Sequence, residues 1–315
     1  MTPNFVFVVV EQDLNYYIDL FLKFKQVTKK PATVTWYRNV LGYYRDAIQQ
    51  QPPTWPPTVT HCLTFLETFK VKGLKDYSCN NYYRALRSWL NWLKKFGYIS
   101  QSPLEFLDTI PAPKPLPKAP PEEDMSSMLF TIEQRGDSWH DIRDLALFFV
   151  ALDTAARPGE LAAMQVDDVD LINRTIRVHS NKDYEDRELV FTDDVARILT
   201  IWKKKRQELG VSDELRHLWI SDYQHKGFRP FTSSGIRQRL HFWQEKTGID
   251  QFTTYAIRHA YAIYSLRNLA DLLDIRDQMG HASITTTAKY TKVVNQGRCK
   301  RHQETSPLSN LNKNK

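Results

Sequence analysis

Four short segments of the sequence carry residue types that could do chemistry, and none is decisive alone. In ARPGEL, Arg157 sits between apolar helical sequence on both sides. A guanidinium in such surroundings needs an anion, and Glu160, three residues on, offers a local ion pair as readily as a site offers a bound ligand. In YAIRHAYAI, Arg258 lies in an otherwise apolar helical stretch with Tyr255 one turn before it, which points to an anion-binding site more than to a surface. MGHASITTTAKY places His281 directly after Gly280, with Tyr290 nine residues further; alone they read as a capping or packed imidazole and a core aromatic. Lys182 falls at the tip of a hairpin, where a lone lysine is ordinarily solvated. His259 follows Arg258, but neighbours on a helix point about 100° apart, so it reads as a packing residue.

Order and spacing join these residues into one constellation: Arg, Lys, Arg, His and Tyr at 157, 182, 258, 281 and 290. The pattern resembles the signature of the tyrosine recombinase family, which includes phage integrases and Xer-type recombinases. The resemblance runs from about Leu116 to Val294, taking in LPKA and ITTTAKYTKV. It extends more loosely over the preceding helical region, which is similar to the family's core-binding domain.

The resemblance implies a site-specific recombinase that cleaves and rejoins DNA through a 3′-phosphotyrosine. Tyr290 becomes the nucleophile, Arg157 and Arg258 the phosphate clamps, His281 a further hydrogen-bond donor to the phosphate, and Lys182 the general acid for the leaving 5′-oxygen. Two planar guanidiniums can meet the non-bridging oxygens of a pentacoordinate phosphorus bidentately, where lysine would be a poor substitute. A phenol ionises near pH ~10 and is a feeble nucleophile until positive charge and a base help it lose its proton. The ester conserves the energy of the broken bond, so the resemblance implies neither ATP nor a metal nor another cofactor.

Duplex DNA with a specific recombination site is the implied partner. Strand exchange implies four protomers in a synapse, with the segment after Tyr290 docking into a neighbour. Two rival functions share these residues: type IB topoisomerase-like relaxation, and DNA binding without catalysis on the same scaffold. One departure stands out, because Tyr255 occupies the place of the family's usual histidine, three residues before the second arginine. A phenol can donate a hydrogen bond to phosphate but is a poor base at pH 7, which leaves any base function to His259 or His281.

The elements that must position these groups can be read from periodicity. IPAPKPLPKAPPEED, beginning at Ile110, denies both helix and ladder hydrogen bonding and marks a linker. The expected organisation is a helical core DNA-binding domain over 1–109, a linker over 110–124, a catalytic domain over 125–297 and a polar tail over 298–315. In the first domain Leu14, Tyr17, Ile18 and Phe21 recur at helical spacing, as do Tyr37, Val40, Leu41 and Tyr44. In NNYYRALRSWLNWLKKFG one face carries Tyr82, Leu86, Trp89, Leu90 and Leu93, the other Arg84, Arg87, Lys94 and Lys95, with Gly97 as the stop. That basic face, with Lys29, Lys30, Arg38 and Arg45, is either a solvated surface or one that tracks phosphates.

In the second domain a helical run, DIRDLALFFVALDTAARPGELAAM, leads to a hairpin, RTIRVHSNKDYEDRELVF, and helices then return with stops at Gly248 and Gly280. SSGIRQRLHFW is a candidate DNA-contacting helix, with Ser233 or Ser234 as cap and Arg237 and Arg239 facing the nucleic acid. The fold class expected is mainly α with a small antiparallel β-sheet: a helical core-binding domain plus an α+β catalytic domain.

Composition sets the outer bounds. At 315 residues and 42% hydrophobic content the chain can bury a core in about two domains, and a net charge of +7 favours polyanionic partners. Cys62, Cys79 and Cys299 show neither disulfide nor zinc spacing, which favours the cytoplasm. The apolar run Phe5–Val10 is far shorter than the roughly 20 residues of a spanning helix, so it reads as an early strand or arm and no membrane partner is expected. With helical patterning from about Asp13, no additional N-terminal arm-binding domain is expected.

Overall fold

The computed structural model describes residues 13–107, 116–135, 138–179, 186–222, 226–250 and 252–294, together with 302 and 306. The run Phe5–Val10, Lys182 with the hairpin tip, residues 110–115 of the expected linker and nearly all of the expected tail lie outside them. The chain divides into two compact units, residues 1–115 and 116–315.

The first unit is built from α1 (Leu14–Thr28), α2 (Pro31–Ile48), α3 (Val59–Val71) and α4 (Asp76–Lys95). Asp13 caps α1 by accepting the Tyr16 N–H at 2.7 Å, satisfying a donor the helix itself cannot. At α3 the cap is reciprocal: Thr58 Oγ1 accepts the His61 N–H, and His61 Nδ1 accepts the Thr58 N–H, both at 3.2 Å. The periodic residues Leu14, Tyr17, Ile18, Phe21, Val40, Leu41 and Tyr44 are buried with Leu86, Trp89, Leu90 and Leu93 of α4. Tyr82, expected on that face, is half-buried and stacks on Phe69 at 3.9 Å between ring centroids, while Tyr83 takes the core position. Arg84, Arg87, Lys94 and Lys95 are exposed on the opposite side.

The second unit opens with α5 (Glu122–Arg135) and α6 (Trp139–Thr154). Glu122, Glu123 and Asp124, expected in the linker, form instead the first turn of α5, where acids meet the positive end of the helix. The approach to that turn is tied down by Tyr264 Oη donating to the Pro120 carbonyl at 2.5 Å. Next come α7 (Pro158–Ala163), β1 (Val169–Asp170), β2 (Thr175–Val178), β3 (Arg187–Val190) and α8 (Asp193–Glu208). The remainder is β4 (Ile220–Asp222), β5 (Phe228–Pro230), α9 (Ser233–Thr247), α10 (Thr254–Arg267), α11 (Leu272–Met279), α12 (Ile284–Ala288) and α13 (Thr291–Val294).

The architecture is mainly helical with small antiparallel sheets, as the sequence predicts, but there are two sheets among the described residues: β1-β2-β3 and β4-β5. Ile176 pairs with Leu189 across β2 and β3, both fully buried, while the alternate pair Arg177–Glu188 faces outward. The main core gathers Phe148 of α6, Trp202 of α8, Trp219 and Trp243 of α9. A smaller core of Ala155, Ala262, Ile263, Ile275, Met279, Tyr290 and Val294 lies under the residues singled out for chemistry. No helix of the described residues is long and apolar enough to cross a membrane.

Two expectations are corrected on α9. Its cap is Thr232, which accepts the Gly235 N–H at 3.1 Å, and not Ser233 or Ser234. Arg239 does not face outward as Arg237 does: it bonds Asp144 and stacks over the Phe242 ring at 4.1 Å. The cause is the burial of Asp144, whose carboxylate is out of water and is satisfied by Arg143 at 2.7 Å, by the Trp243 indole at 2.8 Å and by Arg239.

Candidate active site

The expected helical run through Arg157 is broken. Ala155 ends α6 in the left-handed conformation, φ 50°, and Arg157 becomes the residue that starts α7. The break turns the Ala155 carbonyl inward and frees the Arg157 side chain from any helix face. Arg157 donates its N–H to Glu160 Oε2 at 2.8 Å and its guanidinium to Glu160 Oε1 at 2.7 Å and to the Gly280 carbonyl. The local ion pair is therefore present, yet the Arg157 side chain remains 36% exposed and can still reach an incoming anion.

Glu160 is held from a second side by a residue that sequence reasoning missed. Arg187, the first residue of β3, forks onto the same carboxylate at 2.9 and 3.0 Å. Its position five residues after Lys182 was the available signal, since a strand leaving the hairpin returns toward the arginines. The Arg187 guanidinium also packs on Gly280, where a Cβ would lie 2.5 Å from Cζ. Gly280 is thus glycine for two reasons, this approach and its φ of 61°.

Burial alone would raise the Glu160 carboxyl; the Arg187 bonds, the Arg157 N–H, the Arg187 charge and the Arg157 guanidinium bond outweigh it and hold the group down at about 2. A depressed folded pKa contributes stability above the ordinary value of 4.5 and loses it as pH falls toward 2. Glu160→Gln is expected to melt earlier than wild type at neutral pH by an amount equivalent to about 2 kcal/mol. That is below the usual cost of breaking a buried pair because Arg157 is partly solvated. The gap should shrink between pH 5 and 2 in thermal melts followed by circular dichroism, a range set by the ordinary and depressed values.

Arg258 comes from α10 and is 4% exposed. Its guanidinium donates to the carbonyls of Ala155 and Met279 and to His281 Nε2 at 3.2 Å. The consecutive carbonyls of Met279 and Gly280 therefore hold one guanidinium each, Arg258 and Arg157, immediately before His281. Burial, then the neighbouring Arg157 charge, draws Arg258 down to about 10, still fully charged at neutral pH.

His281 was expected to donate to a phosphate, and in the free protein its Nε2 accepts instead. Arg258 can only donate, so Nδ1 carries the hydrogen and gives it to the fully buried Thr287 Oγ1 at 2.8 Å. Burial, then Arg258, Lys289, Arg157 and Arg187, push the imidazole down to about 3. A phosphate that takes over the Arg258 donor supplies both the acceptor and the negative charge that the donor role requires.

Tyr290 sits between α12 and α13, 1% exposed, with its ring in the small core. Its Oη lies 2.8 Å from Nδ1 of His259. This overturns the packing reading of His259: Arg258 points to the turns at 155 and 279, and the next side chain on α10 reaches the turn at 290. Burial pushes Tyr290 up to about 12 against the pull of Arg258. Burial, Lys289 and Arg258 push His259 down to about 4, so the imidazole is neutral.

Tyr255, in the first turn of α10, is 60% exposed. Arg157, Arg258, His281 and Tyr290 are thus brought together, with Arg187, Glu160 and His259 added. Lys182 lies outside the described residues. Lys29, Lys30, Arg38, Arg84 and Arg87 are exposed on the first unit.

The model of the phage integrase family matches residues 121–296. The chain is 26% identical to the tyrosine recombinase XerC of Psychromonas ingrahamii, over 90% of this chain and 93% of that protein. It is also 26% identical to the tyrosine recombinase XerC of Oceanobacillus iheyensis, over 95% of this chain and 99% of that one. Among solved structures, the XerH site-specific recombinase bound to palindromic difH substrate matches with a TM-score of 0.72 at 18% identity, covering 91% of this chain and 83% of its own. The Tn1549 transposon integrase in complex with transposon right end DNA matches with a TM-score of 0.73 at 18% identity, covering 90% and 98%. At such identities the structural likeness is one of fold.

Proposed function

The chain belongs to the phage integrase family, the tyrosine recombinases, and from that premise we propose that it cleaves and rejoins DNA at a specific site through a 3′-phosphotyrosine on Tyr290. The observation that carries the assignment of roles is the convergence of Arg157 and Arg258 on adjacent carbonyls beside His281, within the cluster that contains Tyr290. Two guanidiniums fixed side by side form a preorganised receptor for the non-bridging oxygens of one phosphodiester, and they gain most when charge builds there in the transition state. His281 adds a donor once phosphate displaces it from Arg258. Lys182 protonates the 5′-oxygen as it leaves, and the exposed Tyr255 hydroxyl donates to the phosphate.

The duplex lies against the basic residues Lys29, Lys30, Arg38, Arg84, Arg87 and Arg237, whose exposure and charge suit phosphate contacts. Four protomers assemble on two recombination sites, in the cytoplasm, on DNA such as a mobile element or a chromosome. A tyrosine recombinase XerC matches over 90% of the chain, which supports recombination of DNA as the reaction.

The test begins in cells expressing the chain: denaturing recovery of covalent protein–DNA adducts and sequencing of the attached strand gives the site and the cleavage position. A nicked suicide duplex built on that site should then trap the adduct in vitro, with the attached peptide mapping to Tyr290. Binding of the cognate duplex without any adduct would sink the proposal.

A further inference from the structure

A buried phenol held up at about 12 does not attack phosphorus unless its proton has somewhere to go. Three groups are candidates to take it. Tyr255 faces solvent, and its hydroxyl makes no hydrogen bond to that of Tyr290, whose partner is His259. His281 has both nitrogens engaged elsewhere, Nε2 by Arg258 and Nδ1 by Thr287. His259 alone among the three touches the reacting oxygen, at 2.8 Å.

We infer that His259 is a catalytic residue, the general base that receives the Tyr290 proton during cleavage and returns it during rejoining. The inference rests on Tyr290 being the nucleophile. The tautomer is fixed by the partner: the phenol donates, so Nδ1 offers its lone pair and Nε2 carries the ring hydrogen. Burial and the charges of Lys289 and Arg258 keep that lone pair unprotonated in the free protein, so the base is ready before DNA arrives. A bound phosphodiester then brings negative charge beside Arg258, offsetting the field that opposes an imidazolium.

The step balances. As Oη bonds to phosphorus, the Oη–H bond breaks and its proton moves to Nδ1; the bond from phosphorus to the 5′-oxygen breaks and that oxygen takes a proton from the general acid. Rejoining reverses both transfers. No redox partner or other reactant is needed.

The experiment is single-turnover cleavage of the nicked suicide duplex by wild type and His259→Asn, alongside DNA binding. Asparagine Oδ1 can accept the Tyr290 hydrogen bond but cannot keep its proton, so cleavage should slow by about 10²-fold with binding unchanged. A substrate with a 5′-bridging sulfur, whose leaving group needs no proton, should not restore the rate. Fluorinated tyrosine at position 290, a stronger acid, should narrow the gap to under about 10-fold. Wild-type cleavage by His259→Asn, rescue by the bridging sulfur, or a gap untouched by fluorination each overturns the inference. These failures are distinct from failure of the nucleophile assignment, which shows as an adduct mapping to a residue other than Tyr290.

Discussion

Tyr290→Phe is expected to bind its recombination site as tightly as the wild-type chain and to form no covalent adduct at all. The substitution removes one oxygen and leaves the ring, which is 1% exposed among Ile263, Ile275, Met279 and Val294, in a space phenylalanine fills. What is lost structurally is the hydrogen bond to His259, worth about 1 kcal/mol in this half-buried setting. Melting should therefore move little while chemistry disappears. Denaturing electrophoresis of the suicide-substrate reaction reads the adduct, and a gel shift reads the binding. An adduct surviving in the phenylalanine variant would assign the nucleophile elsewhere.

Arg258→Lys should cost about 10³-fold in the cleavage rate and lower the melting temperature as well. The guanidinium of Arg258 serves three acceptors at once: the Ala155 carbonyl, the Met279 carbonyl and His281 Nε2. An ammonium is a point charge without the planar fork, so at least one buried carbonyl loses its donor at a cost of about 1–3 kcal/mol. For a unit of this size that corresponds to about 2–12 °C in the melt. The rate loss is larger than the stability loss predicts, because the same fork must meet the transition-state oxygens. Single-turnover rates compared at temperatures well below the melt separate the two. A lysine variant that cleaves within a few-fold of wild type would remove Arg258 from the clamp.

How far the sequence carried these conclusions depends on which interactions are local. Leu14, Tyr17, Ile18 and Phe21 announce a buried face because a helix of 3.6 residues per turn brings them to one side, and they are buried. The order Arg157, Arg258, His281, Tyr290 was legible because a family signature is a linear pattern. The break at Ala155 was not, because alanine is the best of helix formers and nothing local tells it to turn left-handed. Its cause is tertiary: the Ala155 carbonyl is needed by Arg258, 103 residues away.

His259 was misread for a related reason. Helical offset says that neighbours diverge, and says nothing of whether two separate turns wait on the two sides. Arg237 and Arg239 looked alike on α9, and what separates them is Asp144, 95 residues from Arg239 in the chain.

Both clamp arginines are anchored by main-chain oxygens, those of Ala155, Met279 and Gly280, in addition to any side chain. Every amino acid carries such an oxygen, so the anchoring does not depend on what stands at 155 or 279 as long as the two turns keep their course. Mutational drift around the arginines is therefore cheap for the clamp, and chains with little sequence in common can hold the same two guanidiniums. Positions 155 and 280 are where that tolerance narrows: Ala155 is fully buried at a left-handed φ of 50°, and any side chain at 280 meets Arg187.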